Sequence, residues 1–158
     1  MGKALGMRTL VAERKGALEI RSGRVPFEQV LKQCTVLIMT CPLTPHSRNM
    51  VDEVELRTMR DDAIIVNVGR GGIINELALA NALRESRIAG AAIDVFETEP
   101  ATKENCPLLD PGIPNLLLTP HIAWYSTGTI KGTLEVTKRN IELFLAGTPQ
   151  NVIHAGSA

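Results

Sequence analysis

The sequence predicts an α/β fold built around a doubly wound, mostly parallel sheet. Short aliphatic runs alternate along the chain with amphipathic stretches, which is the pattern of successive βαβ units. The aliphatic runs are nearly continuous in apolarity, as is typical of strands covered on both faces. With 158 residues, 44% of them hydrophobic, the chain is long enough to bury one ordinary core.

Five strands and four helices follow from this alternation. Strands are predicted at residues 8–13, 36–40, 63–68, 90–95 and 116–119, and helices at 26–33, 52–58, 75–86 and 126–146. Asn75 is the predicted N-cap of the third helix, and Gly147 the stop signal of the fourth. The fourth helix carries one apolar stripe formed by Ile130, Leu134, Thr137, Ile141 and Leu145.

The start of the chain departs from a complete dinucleotide-binding fold. Residues 1–6 resemble the end of a helix, and no strand followed by a G-x-G-x-x-G turn precedes the first predicted strand. The glycine-rich run at 69–72 does not have the glycine spacing of that turn, so it does not replace the missing loop. We therefore expect a partial Rossmann-like sheet that lacks its first strand and its glycine-rich loop, over residues 1–125. Residues 126–158 are expected to form a helix and tail that pack against a substrate domain absent from this chain.

Composition narrows the class of function. Seventeen basic residues balance seventeen acidic ones without a basic stripe, so a nucleic-acid partner is not expected. No apolar run approaches the roughly 20 residues that span a bilayer, and no signal pattern opens the chain, so we expect a cytoplasmic protein without a membrane partner. The chain has an odd number of cysteines, namely Cys34, Cys41 and Cys106. This count favours buried, reduced thiols over disulfides or a metal site.

Three polar residues follow predicted strands at the point where each strand ends. Arg70, Glu99 and His121 would meet at the carboxyl edge of a parallel sheet, where open α/β sheets bind ligands. An arginine can bind a carboxylate, a histidine can exchange a proton near neutral pH, and a glutamate can orient the histidine. Taken singly, these residues favour plainer interpretations: Arg70 as a loop cation, Glu99 as a solvated turn residue and His121 as a capped loop histidine.

Four runs around these residues resemble signatures of one enzyme family. They are 41–44 (CPLT, with Arg48-Asn49 after it), 67–72 (NVGRGG), 92–100 (AIDVFETEP) and 118–124 (LTPHIAW). In this order and over nearly the entire chain they resemble the D-isomer-specific 2-hydroxyacid dehydrogenases. Trp124, three residues after the histidine, resembles the glycerate dehydrogenase and hydroxypyruvate reductase branch, although it could equally be a packing aromatic.

The resemblance implies a role for individual positions. Arg70 resembles the catalytic arginine, His121 the acid/base and Glu99 the carboxylate partner of that histidine. Asp94 resembles the residue that contacts the nicotinamide amide, with a strand-end cap as the alternative. The full set of expected coenzyme-contacting residues is Glu13, Cys41, Pro42, Val68, Gly69, Arg70, Asp94, His121 and Ala123.

Glu13 bears on the choice of coenzyme. An acidic side chain at the end of the first visible strand would hydrogen-bond the adenosine ribose diol and repel a 2′-phosphate, which favours NAD. Arg14 and Lys15 beside it could instead hold that phosphate, so NADP stays possible. A solvated strand end is the plain alternative for all three residues.

The expected function is hydride transfer between a nicotinamide coenzyme and a small D-2-hydroxy or 2-keto acid of the glycerate, hydroxypyruvate or glyoxylate type, in a homodimer. The alternative is a non-catalytic, NAD-sensing or partner-binding fragment of the same family. We also expect the chain to be N-terminally truncated and poorly active by itself, because without the glycine-rich loop the pyrophosphate has no evident cradle.

Overall fold

A computed structural model describes residues 2–153 of the chain. Within them lie the helices α1 (Phe27–Gln33), α2 (Glu53–Thr58), α3 (Glu76–Arg84) and α4 (Thr127–Leu145), the strands β1 (Val36–Met39), β2 (Ile64–Asn67), β3 (Gly90–Ile93) and β4 (Leu116–Leu118), and short 3-10 turns at Gly2–Leu5 and Pro107–Leu109. The chain divides into two compact units, Met1–Pro120 and His121–Ala158. The domain boundary predicted from the sequence lies slightly later, after residue 125. The packing of the last segment against a substrate domain stays a prediction.

The strands form one parallel sheet in the order β1-β2-β3-β4, which confirms the predicted α/β class. Leu37 pairs with Ile65, and Ile65 with Ala91, so these three side chains share one face of the sheet. All three are buried in a common core with side chains of α1, α2 and α3. Because every strand runs in the same direction, all four carboxyl ends lie along one edge.

Polar side chains cap the starts of α2, α3 and α4, and Ser126 caps α4 by accepting from the Thr129 amide. The Asn75 side chain accepts hydrogen bonds from the amides of Leu77 and Ala78, which confirms the predicted N-cap of α3. Asp52 and Glu55 form a capping box at the start of α2. These caps satisfy amides that have no partner within their own helix, so each helix begins at a defined residue directly after the loop that precedes it.

The second face of the sheet contradicts the prediction that the strands are covered on both sides. Ile38 is 54% exposed, Ile64 41% and Leu117 63%, although all three are as apolar as their buried neighbours. The burial of β1 alternates strictly between exposed and buried residues. Apolarity marks a side chain that burial would stabilise, but it does not supply the element that would cover it.

The predicted strand at residues 8–13 is also wrong. This segment makes a single bridge, between Ala12 and Val25, beside which the Glu13 amide donates to the Val25 carbonyl at 2.8 Å. Among residues 2–153 the four named strands pair only with one another, so the segment has no neighbouring strand there with which to form a ladder. The expected helix end at residues 1–6 is a 3-10 turn over Gly2–Leu5, with Met1 outside the described residues.

Helix α4 begins and ends close to where the sequence predicts. Gly147 follows it with a φ of 74°, the left-handed conformation of a helix stop. None of the helix's residues is buried, and Leu134, Ile141 and Leu145 of the predicted stripe are 65%, 57% and 80% exposed. No helix within residues 2–153 has both the length and the apolarity needed to cross a membrane.

The three cysteines are free thiols with different degrees of burial. Cys106 is buried and Cys34 and Cys41 are partly buried. Burial raises the pKa of the Cys106 thiol to about 11 and also raises the pKa of Cys34. In the described part of the chain no three His, Cys, Asp or Glu side chains gather as metal ligands would.

Candidate active site at the carboxyl edge of the sheet

The loop after β2 is held in one shape by Asn67, the last residue of that strand. The Asn67 side chain, 2% exposed, donates to the Arg70 carbonyl at 3.0 Å and accepts from the Gly69 amide at 3.1 Å. The guanidinium of Arg70 donates to the Gly69 carbonyl at 2.8 Å. Arg70 is exposed beyond the strand end, so this loop presents a cation on a turn that the buried Asn67 stabilises.

Two glycines let this loop lie against its neighbours on both sides. A Cβ at Gly69 would lie 2.9 Å from the Cys41 carbonyl oxygen, in the loop after β1. A Cβ at Gly71 would lie 1.8 Å from the Phe96 carbonyl oxygen, in the loop after β3. Since ordinary carbon contacts are about 3.5–4.0 Å, only glycine permits these approaches. The loops after three adjacent strands therefore form one continuous edge.

Arg48 adds a polar link along the same edge. Its guanidinium pairs with Glu97 at 2.7 Å, which connects the segment after β1 to the loop after β3. The Glu97 amide in turn donates to the carboxylate of Glu76, in the first turn of α3, at 2.7 Å. Arg48 belongs to one of the family-like runs, but the sequence alone does not predict a role for it, because a single cation in a motif does not reveal its partner.

Asp94 directly follows β3 and is 4% exposed. Its amide donates to the Asn67 carbonyl at 3.0 Å, and its carboxylate accepts a hydrogen bond from the Thr119 hydroxyl at 2.5 Å. The first of these hydrogen bonds joins the ends of β2 and β3, and the second joins the ends of β3 and β4. Thr119 belongs to the 118–124 run, but the sequence alone does not predict that it is the partner of Asp94.

Glu99 lies further along the loop after β3 and is exposed. One of its carboxylate oxygens accepts a hydrogen bond from the Phe96 amide at 3.0 Å. This local bond holds the carboxylate back toward the strand end from which its loop departs, in the same compact unit as Arg70 and Asp94.

His121 and Ala123 belong to the second compact unit. The backbone of His121 has a φ of 55°, a left-handed conformation that is uncommon outside glycine and that clusters at functional sites. The indole nitrogen of Trp124 donates to the His121 carbonyl at 2.8 Å. The Trp124 ring packs edge-on against Tyr125, with ring centres 5.5 Å apart. Trp124 therefore supports the backbone at the histidine.

Glu13 makes contacts that the sequence does not predict. Its carboxylate is 4% exposed and pairs with Arg21 at 2.5 Å and with Arg24 at 3.9 Å. Hydrogen bonds from the Arg21 side chain and from the Arg14 amide hold the pKa of Glu13 far below its usual range. The two partners lie eight and eleven residues away in an irregular segment, where no sequence period announces a contact.

The residues at this edge fit a nicotinamide dinucleotide. The close approach at Gly69 brings together the loops after β1 and β2, in which Pro42 is exposed and Val68 is 40% exposed. Dinucleotides bind outside the carboxyl ends of parallel strands in this way. Asp94 and Arg70 add a carboxylate and a guanidinium, the groups needed to orient an amide and an acid.

Known proteins support the same conclusion. The family described as D-isomer specific 2-hydroxyacid dehydrogenase, NAD binding domain, matches residues 1–123. Glycerate dehydrogenase of Methylorubrum extorquens is 39% identical over 153 residues, which are 97% of this chain and 47% of that protein. Hydroxypyruvate reductase of Blautia hydrogenotrophica is 37% identical over 157 residues, 98% of this chain and 48% of the relative.

A solved structure has the same fold. D-lactate dehydrogenase of Aquifex aeolicus, complexed with NAD and lactic acid, superposes with a TM-score of 0.78 and 25% identity, over 92% of this chain and 48% of that one. The chain thus spans about half the length of these relatives. Its strand order, the motif-bearing loops at the carboxyl edge and the family match over residues 1–123 agree, and the chain belongs to the D-isomer-specific 2-hydroxyacid dehydrogenases through their NAD-binding domain.

Proposed function

We propose that this domain serves an oxidoreductase that transfers a hydride between NAD and a small D-2-hydroxy or 2-keto acid. The substrate is of the glycerate, hydroxypyruvate or glyoxylate type. The observation that carries the proposal is the continuous edge formed by the loops after β1, β2 and β3, along which Arg70, Asp94 and Glu99 follow adjacent parallel strands. The names of the two relatives support the choice of acid.

Arg70 is the group proposed to receive the substrate. One guanidinium nitrogen donates to the Gly69 carbonyl, which orients the exposed cation at the strand end. The other N–H groups of a guanidinium can hold a carboxylate through two parallel, charge-assisted hydrogen bonds. Bound in this way, a 2-keto acid presents its C2 carbonyl at the sheet edge in one orientation, which sets the stereochemistry of the product.

His121 is the proposed acid/base. It donates a proton to the carbonyl oxygen when the keto acid is reduced and accepts it back when the hydroxy acid is oxidised. Glu99 is the proposed partner that stabilises the protonated imidazole. The 118–124 and 92–100 runs support these two roles. The nicotinamide supplies or accepts the hydride, and Asp94 and Ala123 are proposed to contact that end of the coenzyme, with Cys41, Pro42, Val68 and Gly69 along its length.

The finer features of the whole protein belong to the same proposal. We place it in the cytoplasm as a homodimer, with residues 126–158 packed against a substrate domain. The apolar side chains exposed on α4 support packing of this helix against further protein, since patches of this kind mark interaction sites. Light scattering over a range of protein concentrations measures the oligomeric state, and a monomer at all of them contradicts the homodimer.

A single-turnover experiment tests the chemistry directly. The purified chain, in excess over NADH carrying deuterium at nicotinamide C4, is incubated with hydroxypyruvate, and the product is analysed by mass spectrometry and chiral chromatography. We expect D-glycerate with deuterium at C2. Arg70→Gln and His121→Gln should abolish the transfer, because one removes the carboxylate ligand and the other the proton donor.

Arg60→Gln is the matched control. Arg60 pairs with Asp62 on the surface ahead of β2, at the opposite edge of the sheet from Arg70, so its loss should leave the transfer intact. If the chain binds NADH but transfers no deuterium even on long incubation, this chain is not catalytic by itself, and the NAD-sensing alternative is favoured for it. Transfer that persists in the Arg70 and His121 variants would refute the assigned roles alone.

A further inference from the structure

Arg48 and Glu97 form an ion pair across the loop that carries Arg70. Arg48 Nη1 donates to a Glu97 carboxylate oxygen at 2.7 Å, and it lies so close to Gly72 that a Cβ at this glycine would be 3.2 Å away from it. Arg48 belongs to the segment after β1 and Glu97 to the loop after β3, so the pair crosses the end of the loop after β2. Neither residue has a role in the proposed function.

Glu97 is held by its backbone as well as by its side chain. Its amide donates to the Glu76 carboxylate at 2.7 Å, and Glu76 is 8% exposed in the first turn of α3. The preceding residue, Phe96, lies directly against Gly71 and donates its amide to the Glu99 carboxylate at 3.0 Å. The position of Glu97 therefore determines how the loop after β3 lies against the loop after β2.

Arg48 extends from a turn that is fixed independently of this ion pair. The hydroxyl of Ser47, which is 8% exposed, donates to the Pro42 carbonyl at 2.8 Å and accepts from the Thr44 amide at 2.7 Å. Loss of the ion pair should therefore leave this turn in place, together with the coenzyme contacts proposed for the loop after β1.

The exposure of the pair argues against a mainly stabilising role. The side chains of Arg48 and Glu97 are 51% and 49% exposed. Exposed ion pairs contribute little to stability, because water screens the charges and two long side chains must be ordered. In contrast, a displacement of about 1 Å in a group that orients a substrate can lower the rate by about 100-fold. The pair can therefore be important for the site without being important for the fold.

We infer that Arg48 and Glu97 are positioning residues, whose ion pair holds the loops after β2 and β3 together so that Arg70 meets a substrate carboxylate in the required orientation. The inference rests on the proposed function, in which Arg70 receives the acid. Both residues act through Arg70 and through one shared contact. Removal of either side chain should therefore have the same effect, and removal of both should have no further effect.

Oxamate, an unreactive analogue of a small 2-keto acid, tests this inference without requiring turnover. The chain is titrated with oxamate by calorimetry in the presence of saturating NADH, and NADH alone is titrated in parallel. We expect Arg48→Gln and Glu97→Ala each to weaken oxamate binding about tenfold, and the double variant to weaken it no further. The NADH affinity should be unchanged, and the melting temperature should fall by no more than about 4 °C.

The two single variants separate positioning from direct charge attraction. Arg48→Gln removes a positive charge and Glu97→Ala a negative one, so a purely electrostatic effect on the oxamate anion would have opposite signs in the two variants. The Arg60–Asp62 pair is the matched control, because its side chains are 47% and 53% exposed and its paired atoms are also 2.7 Å apart. Arg60→Gln and Asp62→Ala should leave the oxamate affinity unchanged.

Every other outcome overturns a stated claim. The positioning role is wrong, and the proposed function stays in place, if the single variants leave oxamate binding unchanged or change it in opposite directions. Additive losses in the double variant, or a parallel loss of NADH affinity or of stability, also overturn that role. A folded chain that binds no oxamate, or that binds it equally well after Arg70→Gln, overturns the acid site proposed at Arg70 and the inference with it.

Discussion

Replacing Gly71 with alanine should destabilise the chain strongly, because the loop after β2 lies directly against the loop after β3. The new Cβ would lie 1.8 Å from the Phe96 carbonyl oxygen, 2.0 Å from the Phe96 carbonyl carbon and 2.5 Å from the Glu97 nitrogen. All three are backbone atoms, so no side-chain rotation relieves the overlap, and the loops must separate. Overpacking typically costs about 1–3 kcal/mol, and we expect at least the upper end of that range for Gly71→Ala.

Thermal and urea unfolding followed by circular dichroism measure this effect. For a chain of this size 1 kcal/mol corresponds to about 2–4 °C, so the melting temperature should fall by about 6 °C or more. Gly132→Ala is the control with the opposite sign. Gly132 lies within α4 with no atom within 4 Å of an added Cβ, and alanine is favoured over glycine in a helix by up to about 1 kcal/mol. A Gly71→Ala variant as stable as the parent chain would refute the close approach of the two loops.

Three further changes have defined outcomes. Asn75→Ala should lower the free energy of unfolding by about 0.5–2 kcal/mol in urea titrations, because two α3 amides lose their cap; an unchanged value contradicts the cap. Thr119→Val should cost about 1–3 kcal/mol in the same assay, since the buried Asp94 carboxylate loses a donor, whereas no cost would mean that this hydrogen bond is unimportant. The pKa of Glu13 is lowered on folding, so its stabilisation is present above the unfolded-state pKa and is lost as the pH falls below it. Glu13→Gln should therefore flatten the fall in stability that occurs as the pH drops below 4.5, and an unaltered dependence would argue against the Arg21 pair.

The sequence predicts the ends of the four paired strands and of the four α-helices to within about two residues. Strand and helix periods are local, and so are caps such as Asn75 and stops such as Gly147. The errors concern features that depend on a partner. Residues 8–13 have the composition of a strand but no neighbouring strand, and Ile38 is as apolar as a buried residue although nothing covers it.

The candidate site divides in the same way. The placement of Arg70, Asp94 and Glu99 beyond the ends of β2 and β3 was predictable, because family-like runs follow strands and parallel strands present their ends at one edge. The supporting contacts were not predictable. Thr119 and Asp94 lie 25 residues apart in the sequence and come into contact only because β3 and β4 are neighbours in the sheet. The Glu13–Arg21 pair closes an irregular segment, where no period relates the two positions.

Calorimetric titration of the 158-residue chain with NADH tests the central claim most directly, namely that the carboxyl edge of this sheet is a coenzyme site. We predict saturable binding of one NADH per chain, weakened by replacement of Gly69 with valine, whose side chain would separate the loops after β1 and β2. A folded chain that releases no heat of binding, or that binds NADH equally well after the Gly69 change, would contradict the account.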